Sequence, residues 1–202
     1  YMNGEVNGYI SIYRDISLQN KWEQELNIRF ENLKEAYQAL GKKSRYMDYF
    51  GELLDIIVGN GLVSNFHEYI VAAVAYITKV DACILRTYND QNKQLTRRAS
   101  YGVGDEWRGK DVILYKNSLA ESAFEKKHSI KVYNILNEPK YQSTKLAQKH
   151  GFFSLMVLPL YVKDKFYGSM SLYLKNDSKF DLLDNDFIET FAKLISVALS
   201  NK

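Results

Sequence analysis

The chain has 202 residues, of which 46% are hydrophobic and 14% aromatic, with only 2 Pro and 11 Gly. This composition supports a substantial hydrophobic core and excludes a disordered or collagen-like chain. The 27 Lys and Arg residues against 24 Asp and Glu give no basis for a nucleic-acid-binding surface. The single cysteine, Cys83, excludes an internal disulfide framework and a multi-thiolate zinc site, so we expect a cytoplasmic protein.

No apolar run in the sequence is long enough to span a membrane. The longest one, residues 69–77, has nine residues, about half of what a transmembrane helix needs. The chain opens on Tyr1 rather than on Met, so we interpret it as a piece of a longer protein whose other parts could carry a membrane anchor.

Residues 1–17 predict the end of another domain. The Gly-rich and Asn-rich segment from Gly4 to Gly8 marks a turn, and the β-branched and aromatic residues 9–13 predict a strand. A single strand is not stable alone. We therefore expect residues 9–13 to pair with a strand of a second chain.

Residues 18–58 predict a long helix that contains a dimerisation seam. The segment lacks Pro and is rich in Glu, Lys, Gln and Leu. Apolar residues recur in it at heptad spacing, interrupted by the polar Ser44, and they are Leu26, Phe30, Leu33, Tyr37, Leu40 and Met47. We expect this seam to pair in parallel with a second copy, and residues 59–61 to end the helix.

Helical and strand patterns alternate in residues 62–202. The predicted elements are a helix capped by Ser64, strands at 81–88 and 94–101, a helix at 118–127, strands at 130–133, 154–162 and 166–174, and a final helix capped by Asp181 with Asp184 at its third position. This order predicts an α+β fold, a mostly antiparallel sheet flanked by helices.

No residue pattern supports catalysis or metal binding. His67, His128 and His150 have no metal-ligand spacing with each other or with Cys83. Cys83 lies within a predicted strand, where a free thiol usually behaves as a core residue. The segment 102–104 lacks the third glycine of a dinucleotide loop, and no serine lies in a nucleophile elbow. We therefore expect no enzyme in this chain.

The last predicted strand carries a face of hydroxyl groups. Strict alternation places Phe166, Met170, Leu172 and Leu174 on one face and Tyr167, Ser169, Ser171 and Tyr173 on the other. The hydroxyl face suits the orientation of a small polar ligand, and an ordinary solvated face is the alternative. Arg86 alternates with Ile84 and Tyr88, so its guanidinium could reach the same side and bind an anion or an acidic side chain.

Several motifs of the chain resemble those of the GAF domain family. They are Leu95-x-x-x-Ala99-Ser100-x-Gly102, Ser118-Leu119-Ala120, Ile130-x-Val132-x-Asn134-Ile135, Gly151-Phe152-x-Ser154-Leu155-Met156-x-x-Pro159-Leu160, Gly168-x-x-x-Leu172 and Phe180-x-x-x-Asp184. The resemblance implies a GAF domain at residues 50–202. Residues 4–17, ending in Arg14-Asp15-Ile16-Ser17, resemble the last hairpin and exit motif of a PAS domain. They imply a PAS remnant at 1–17 and a coiled-coil linker at 18–49.

The sequence departs from the ligand signatures of specialised GAF domains. Family members that bind cyclic nucleotides have Glu at the position that Asn185 occupies here. Family members that carry a bilin attach it through a Cys beside a His, and Cys83 has no such neighbour. Members that reduce methionine sulfoxide use several cysteines, and this chain has one. We therefore expect neither bilin, haem nor a cyclic nucleotide as cofactor.

The resemblance implies a sensory or regulatory module between a PAS domain and an output domain such as a histidine kinase or diguanylate cyclase. The first hypothesis for its function is a sensor that binds a small molecule and relays the signal to that output domain. The expected ligand-binding residues lie on the sheet beneath the loop 103–117, and they are Arg86, Tyr101, Asn134, Tyr167, Ser169, Ser171 and Tyr173. The alternative is a ligand-free dimerisation and relay module whose pocket is filled by its own Phe and Tyr side chains.

Overall fold

The computed structural model describes residues 65–162, 165–175, 180 and 184–200, together with single residues between 24 and 55. The chain divides into two compact units, Tyr1–Arg45 and Tyr46–Lys202. The described residues between 24 and 55 are helical, and Met47 of the expected seam is exposed. The other seam residues, the predicted PAS end, residues 59–61, Ser64 and Asp181 lie outside the described residues.

From Phe66 onward, the described residues of the second unit form a six-stranded sheet and four α-helices. In chain order these elements are α1 (Phe66–Thr78), β1 (Ala82–Asn89), β2 (Gln94–Tyr101), β3 (Val112–Leu114), α2 (Leu119–Lys126), β4 (Ile130–Val132), α3 (Thr144–His150), β5 (Ser154–Val162), β6 (Lys165–Leu174) and α4 (Asn185–Ser200). Two short 3-10 helices, Asp105–Lys110 and Ile135–Asn137, lie between them. None of the helices within the described residues is long and apolar enough to cross a membrane.

The strands form one sheet in the order β3-β2-β1-β6-β5-β4, with every neighbouring pair antiparallel. The first five residues of β1 and the last seven of β6 are buried, because both faces of the sheet are covered. The predicted α+β fold, with a mostly antiparallel sheet flanked by helices, is confirmed.

One face of the sheet packs against α1 and α4 and forms what we term the helical core. In α1 the residues Phe66, Ile70, Val74 and Ile77 recur at helical spacing and are buried, as their pattern predicted. They meet strand residues of the same cluster, such as Leu85. Cys83 belongs to this cluster and is fully buried.

The other face of the sheet packs against the segments between β2 and β5 and forms the loop-side core. Trp107, from the first 3-10 helix, is 1% exposed and contacts Phe152 and Tyr173 edge-on, with ring centroids 6.1 and 5.6 Å apart. Residues 103–117, predicted as a loop, contain this 3-10 helix and β3. Tertiary burial of Trp107 holds the segment against the sheet.

The position of Tyr167 differs from the prediction. Leu160 pairs with Gly168 while Tyr161 pairs with Phe166, so Tyr167 is an extra residue on β6. Such a bulge reverses the alternation of side chains on its two sides. Phe166 therefore packs with the loop-side core and Tyr167 with the helical core. The expectation that Tyr167 shares a face with the serines of β6 is wrong.

The final helix begins later than predicted. Asp184 Oδ1 accepts hydrogen bonds from the N–H groups of Asp186 (2.8 Å) and Phe187 (3.3 Å). These are the contacts of an N-cap residue, so Asp184 caps α4 rather than lying in its first turn.

Candidate ligand cavity

A cavity of about 30 Å³ lies on the loop-side face of the sheet. Its lining consists of strand residues below and of the first turn of α2 and the segment 140–143 above, namely Arg86, Ile113, Ser118, Leu119, Ala120, Lys140, Tyr141, Gln142, Ser143, Leu155, Val157, Ser169, Ser171 and Tyr173. A water molecule needs roughly 10–15 Å³ of such space. In this conformation the cavity therefore has room for about two water-sized groups.

Strand pairing brings the polar groups of the floor together. Arg86 of the central strand β1 lies directly opposite Ser169 of β6, and Ile84 lies opposite Ser171. Residues two apart on a strand share a face, so Arg86, Ser169 and Ser171 all face the loop-side core. This placement confirms the prediction that Arg86 and the serines share one side of the sheet.

Gln142 fastens the roof of the cavity to the edge strand β3. Its side-chain Oε1 accepts a hydrogen bond from Leu114 N (3.0 Å), and its Nε2 donates one to Leu114 O (2.9 Å). The side-chain amide thus takes the place of a neighbouring strand. The Gln142 carbonyl also accepts a hydrogen bond from Lys110 Nζ. These three bonds hold the segment 140–143 over the floor.

The guanidinium of Arg86 lacks a counter-charge among the residues that the structure describes. Arg86 is 2% exposed, and its Nε has no hydrogen-bond partner there. None of the ion pairs between described side chains involves it. Arginine stays charged in proteins. Because a buried, uncompensated ion costs several kcal/mol, this position favours the binding of an anion.

Tyr141 adds a second unpartnered polar group to the same cavity. Its hydroxyl oxygen is buried and forms no hydrogen bond within the described part of the chain. Burial raises the pKa of the Tyr141 phenol, with a further contribution from Tyr173, so the group remains an O–H donor. Tyr141 lies in a short polar stretch of sequence that contains no recognisable motif, so its place in the cavity does not follow from the sequence.

Two predicted site residues lie away from the cavity, in addition to Tyr167. Tyr101 ends β2, is 49% exposed and is not part of the lining. The side chain of Asn134 caps the second 3-10 helix, because its Oδ1 accepts a hydrogen bond from Leu136 N (3.2 Å). The remaining predicted residues, Arg86, Ser169, Ser171 and Tyr173, all line the cavity.

Neither a catalytic thiol nor a metal cluster is found among the described residues. Burial raises the pKa of the Cys83 thiol, which disfavours the nucleophilic thiolate. No group of three or more His, Cys, Asp or Glu residues within the described ranges is placed to hold a metal ion.

An antiparallel sheet with helices on one face and a small, roofed cavity on the other defines an α+β domain. The GAF domain family model matches residues 68–199, well over half of the chain. The chain therefore belongs to the GAF domain family. Comparison with curated protein sequences gives no match.

Solved structures of several other proteins share this fold. The GAF domain of an Acinetobacter phosphoenolpyruvate-protein phosphotransferase is 18% identical, with a TM-score of 0.63 over 77% of this chain and 93% of that chain. The free methionine-R-sulfoxide reductase of Neisseria meningitidis, in complex with its substrate, is 12% identical, with a TM-score of 0.63 over 77% and 90%. The A. aeolicus nlh2 GAF domain in an inactive state is 13% identical, with a TM-score of 0.63 over 79% and 98%.

At these identities the likeness concerns the fold alone. Taken with the family match, it defines the chain as a GAF domain.

Proposed function

We propose that this GAF module is a sensor that binds a small molecule in the cavity between the sheet and the segment 140–143. The observation that carries the proposal is the buried Arg86, whose Nε lacks a partner among the described residues and which lines a cavity shared with Ser169 and Ser171. A fold rarely leaves a buried ion uncompensated. A ligand that reaches it supplies the missing interaction.

The signal reaches an output domain through the N-terminal helix in this proposal. Residues 1–17 are the end of a PAS domain, residues 18–49 are a coiled-coil linker, and residues 50–202 are the GAF domain. The heptad pattern from Leu26 to Met47 supports a homodimer through the linker. The output domain would belong to a longer cytoplasmic signalling protein such as a histidine kinase or diguanylate cyclase, and the GAF module itself would perform no catalysis.

A second candidate function is a ligand-free relay module. The small volume of the cavity favours it, because Trp107, Phe152 and Tyr173 already fill much of the loop-side face. Phe152 and Tyr173 have ring centroids 5.2 Å apart. In this alternative the aromatic cluster itself takes the place of a ligand.

A thermal unfolding screen with small metabolites of anionic, neutral and cationic classes separates the two functions. A ligand at about 100 times its Kd raises the Tm by roughly 5–10 °C for a chain of this size. The Ser171→Val variant, which adds bulk inside the cavity, should lose this shift. Ser129→Val, outside the cavity lining, should keep it. The absence of any shift across all classes would favour the relay function, and an equal shift in Ser171→Val would locate binding elsewhere.

A further inference from the structure

We propose that the cavity binds a short-chain carboxylate, whose two oxygens are held by the guanidinium of Arg86 and by the surrounding hydroxyl groups. The inference rests on the proposed function and adds the chemical class of the ligand. Arg86 is only 2% exposed, and its Nε has no hydrogen-bond partner within the described residues. The planar guanidinium of an arginine can donate two parallel N–H···O hydrogen bonds to the two oxygens of one carboxylate.

The charge of the whole lining favours an anion. Lys140 is the second cationic side chain of the cavity, and its Nζ is held 2.7 Å from Ser122 Oγ. No Asp or Glu occurs among the described residues that line the cavity. An anion entering this space therefore meets two cations and none of the carboxylates that the structure describes.

The first turn of α2 adds donors and a positive dipole end. Ser118, Leu119 and Ala120 line the cavity, and Ser118 caps the helix by accepting a hydrogen bond from Glu121 N (3.1 Å). The N–H groups of Leu119 and Ala120 are the first two of the helix and have no intrahelical acceptor. The carboxylate of Glu121 accepts a bond from Asn117 N (2.6 Å) and is not part of the lining.

The apolar part of the lining favours a short carboxylate over phosphate. About two water-sized groups fit in this conformation, whereas propanoate and phosphate each have five non-hydrogen atoms, so either anion requires the roof to move. The volume therefore does not distinguish the two anions. Beyond the polar groups the lining is apolar, with Leu119, Leu155 and Val157, which suits a short aliphatic tail.

The test uses the 202-residue chain and four probes at constant ionic strength: propanoate, pyruvate, inorganic phosphate and propanamide, the neutral isostere of propanoate. We expect propanoate or pyruvate to bind in isothermal titration, and propanamide and phosphate to bind at least 30-fold more weakly. In amide-resolved NMR, propanoate should shift the signals of Ser169, Ser171 and Ala120. This measurement needs no variant and is independent of any folding defect.

Two arginine variants complete the test. Arg86→Gln should lose roughly 30-fold or more in affinity for propanoate, because a buried charge pair is broken. The matched control Arg98→Gln removes an exposed arginine of the neighbouring strand β2 and should bind as the parent does. Without ligand, the Tm of Arg86→Gln should equal or exceed that of the parent, since an unpaired buried ion has been removed.

The outcomes separate this inference from the proposed function. Equal binding of propanamide, tighter binding of phosphate, or unchanged propanoate affinity in Arg86→Gln would overturn the carboxylate class. The sensor function would survive if a neutral or cationic metabolite bound in the same cavity. If no probe and no metabolite of any class shifted the cavity signals, both would be overturned.

Discussion

Gly168 lies in β6 opposite Thr87 of β1, next to the floor of the cavity. A Cβ at this position would lie 2.0 Å from Arg86 O and 2.9 Å from Thr87 Cα. Both atoms belong to backbone, so neither can move aside as the end of a flexible side chain would. The absence of a side chain at Gly168 thus allows the central pairing that places Arg86 opposite Ser169.

We therefore predict that Gly168→Ala destabilises the domain by about 1–3 kcal/mol, the usual range for overpacking. The free energy of unfolding in urea measures the effect. Gly109→Ala is the matched control, because a Cβ there meets no atom within 4 Å. Equal stability of the two variants would contradict the close-approach argument.

Tyr115 makes the stability of the domain depend on pH in the alkaline range. Burial, followed by the nearby Glu121 carboxylate, raises the pKa of Tyr115 to about 12 from its ordinary value of 10.0. Above pH 10 the unfolded chain loses this phenolic proton while the folded chain keeps it. The free energy of unfolding therefore falls as the pH rises from about 10 to about 12.

In Tyr115→Phe we expect a shallower fall over this pH interval, because the linked proton is gone. Urea unfolding at a series of pH values measures the slope. Tyr69→Phe, on the exposed side of α1, controls for the simple loss of one tyrosine. The same slope in Tyr115→Phe and in the parent chain would rule out this linkage.

At the scale of elements, the edge strand β3 depends on a side chain for part of its hydrogen bonding. Gln142 bonds both the N–H and the carbonyl of Leu114, and it closes the roof of the cavity at the same time. A strand of only three residues has few backbone bonds of its own to hold it. The edge of the sheet and the roof of the cavity are consequently one coupled structure.

The variant Gln142→Ala should increase hydrogen exchange of the Leu114 amide by up to about 10-fold, as the loss of one net hydrogen bond implies. Amide exchange followed by NMR provides the measurement. Gln148→Ala replaces an exposed glutamine of α3 and should leave the exchange rate of Leu114 unchanged. Similar exchange rates in both variants would show that Gln142 does not hold the edge.

At the scale of the whole molecule, we predict a dimer through the heptad seam. Leu33 and Leu40 belong to the seam and lie outside the described residues. Replacing both by Lys places ammonium groups in a buried interface, which is unfavourable without partners. Sedimentation velocity should then show a monomer, while Glu35→Lys, at an exposed helical position, should remain a dimer. A monomeric parent chain at micromolar concentration would contradict the prediction.

The sequence predicted most elements because each follows a local pattern. The hairpin strands β5 and β6, the burial stripe of α1 and the Ser118 cap of α2 depend on residues close together in the chain. The residues of α3 and of the 3-10 helix around Trp107 lack a strong period. Their structure depends on burial against the sheet, which no short window of sequence contains.

The candidate site likewise has features that follow from local sequence and features that depend on contacts between distant segments. Alternation within single strands determined that Arg86 faces the cavity side and that Ser169, Ser171 and Tyr173 share a face. Only the tertiary structure decided the place of Tyr167, because the bulge arises from the pairing of β5 with β6. It also brought Tyr141 over the floor, since the roof segment is held through Gln142 and β3. Local periodicity thus determined the floor of the cavity, whereas contacts between distant segments decided its roof, its volume and its unpartnered polar groups.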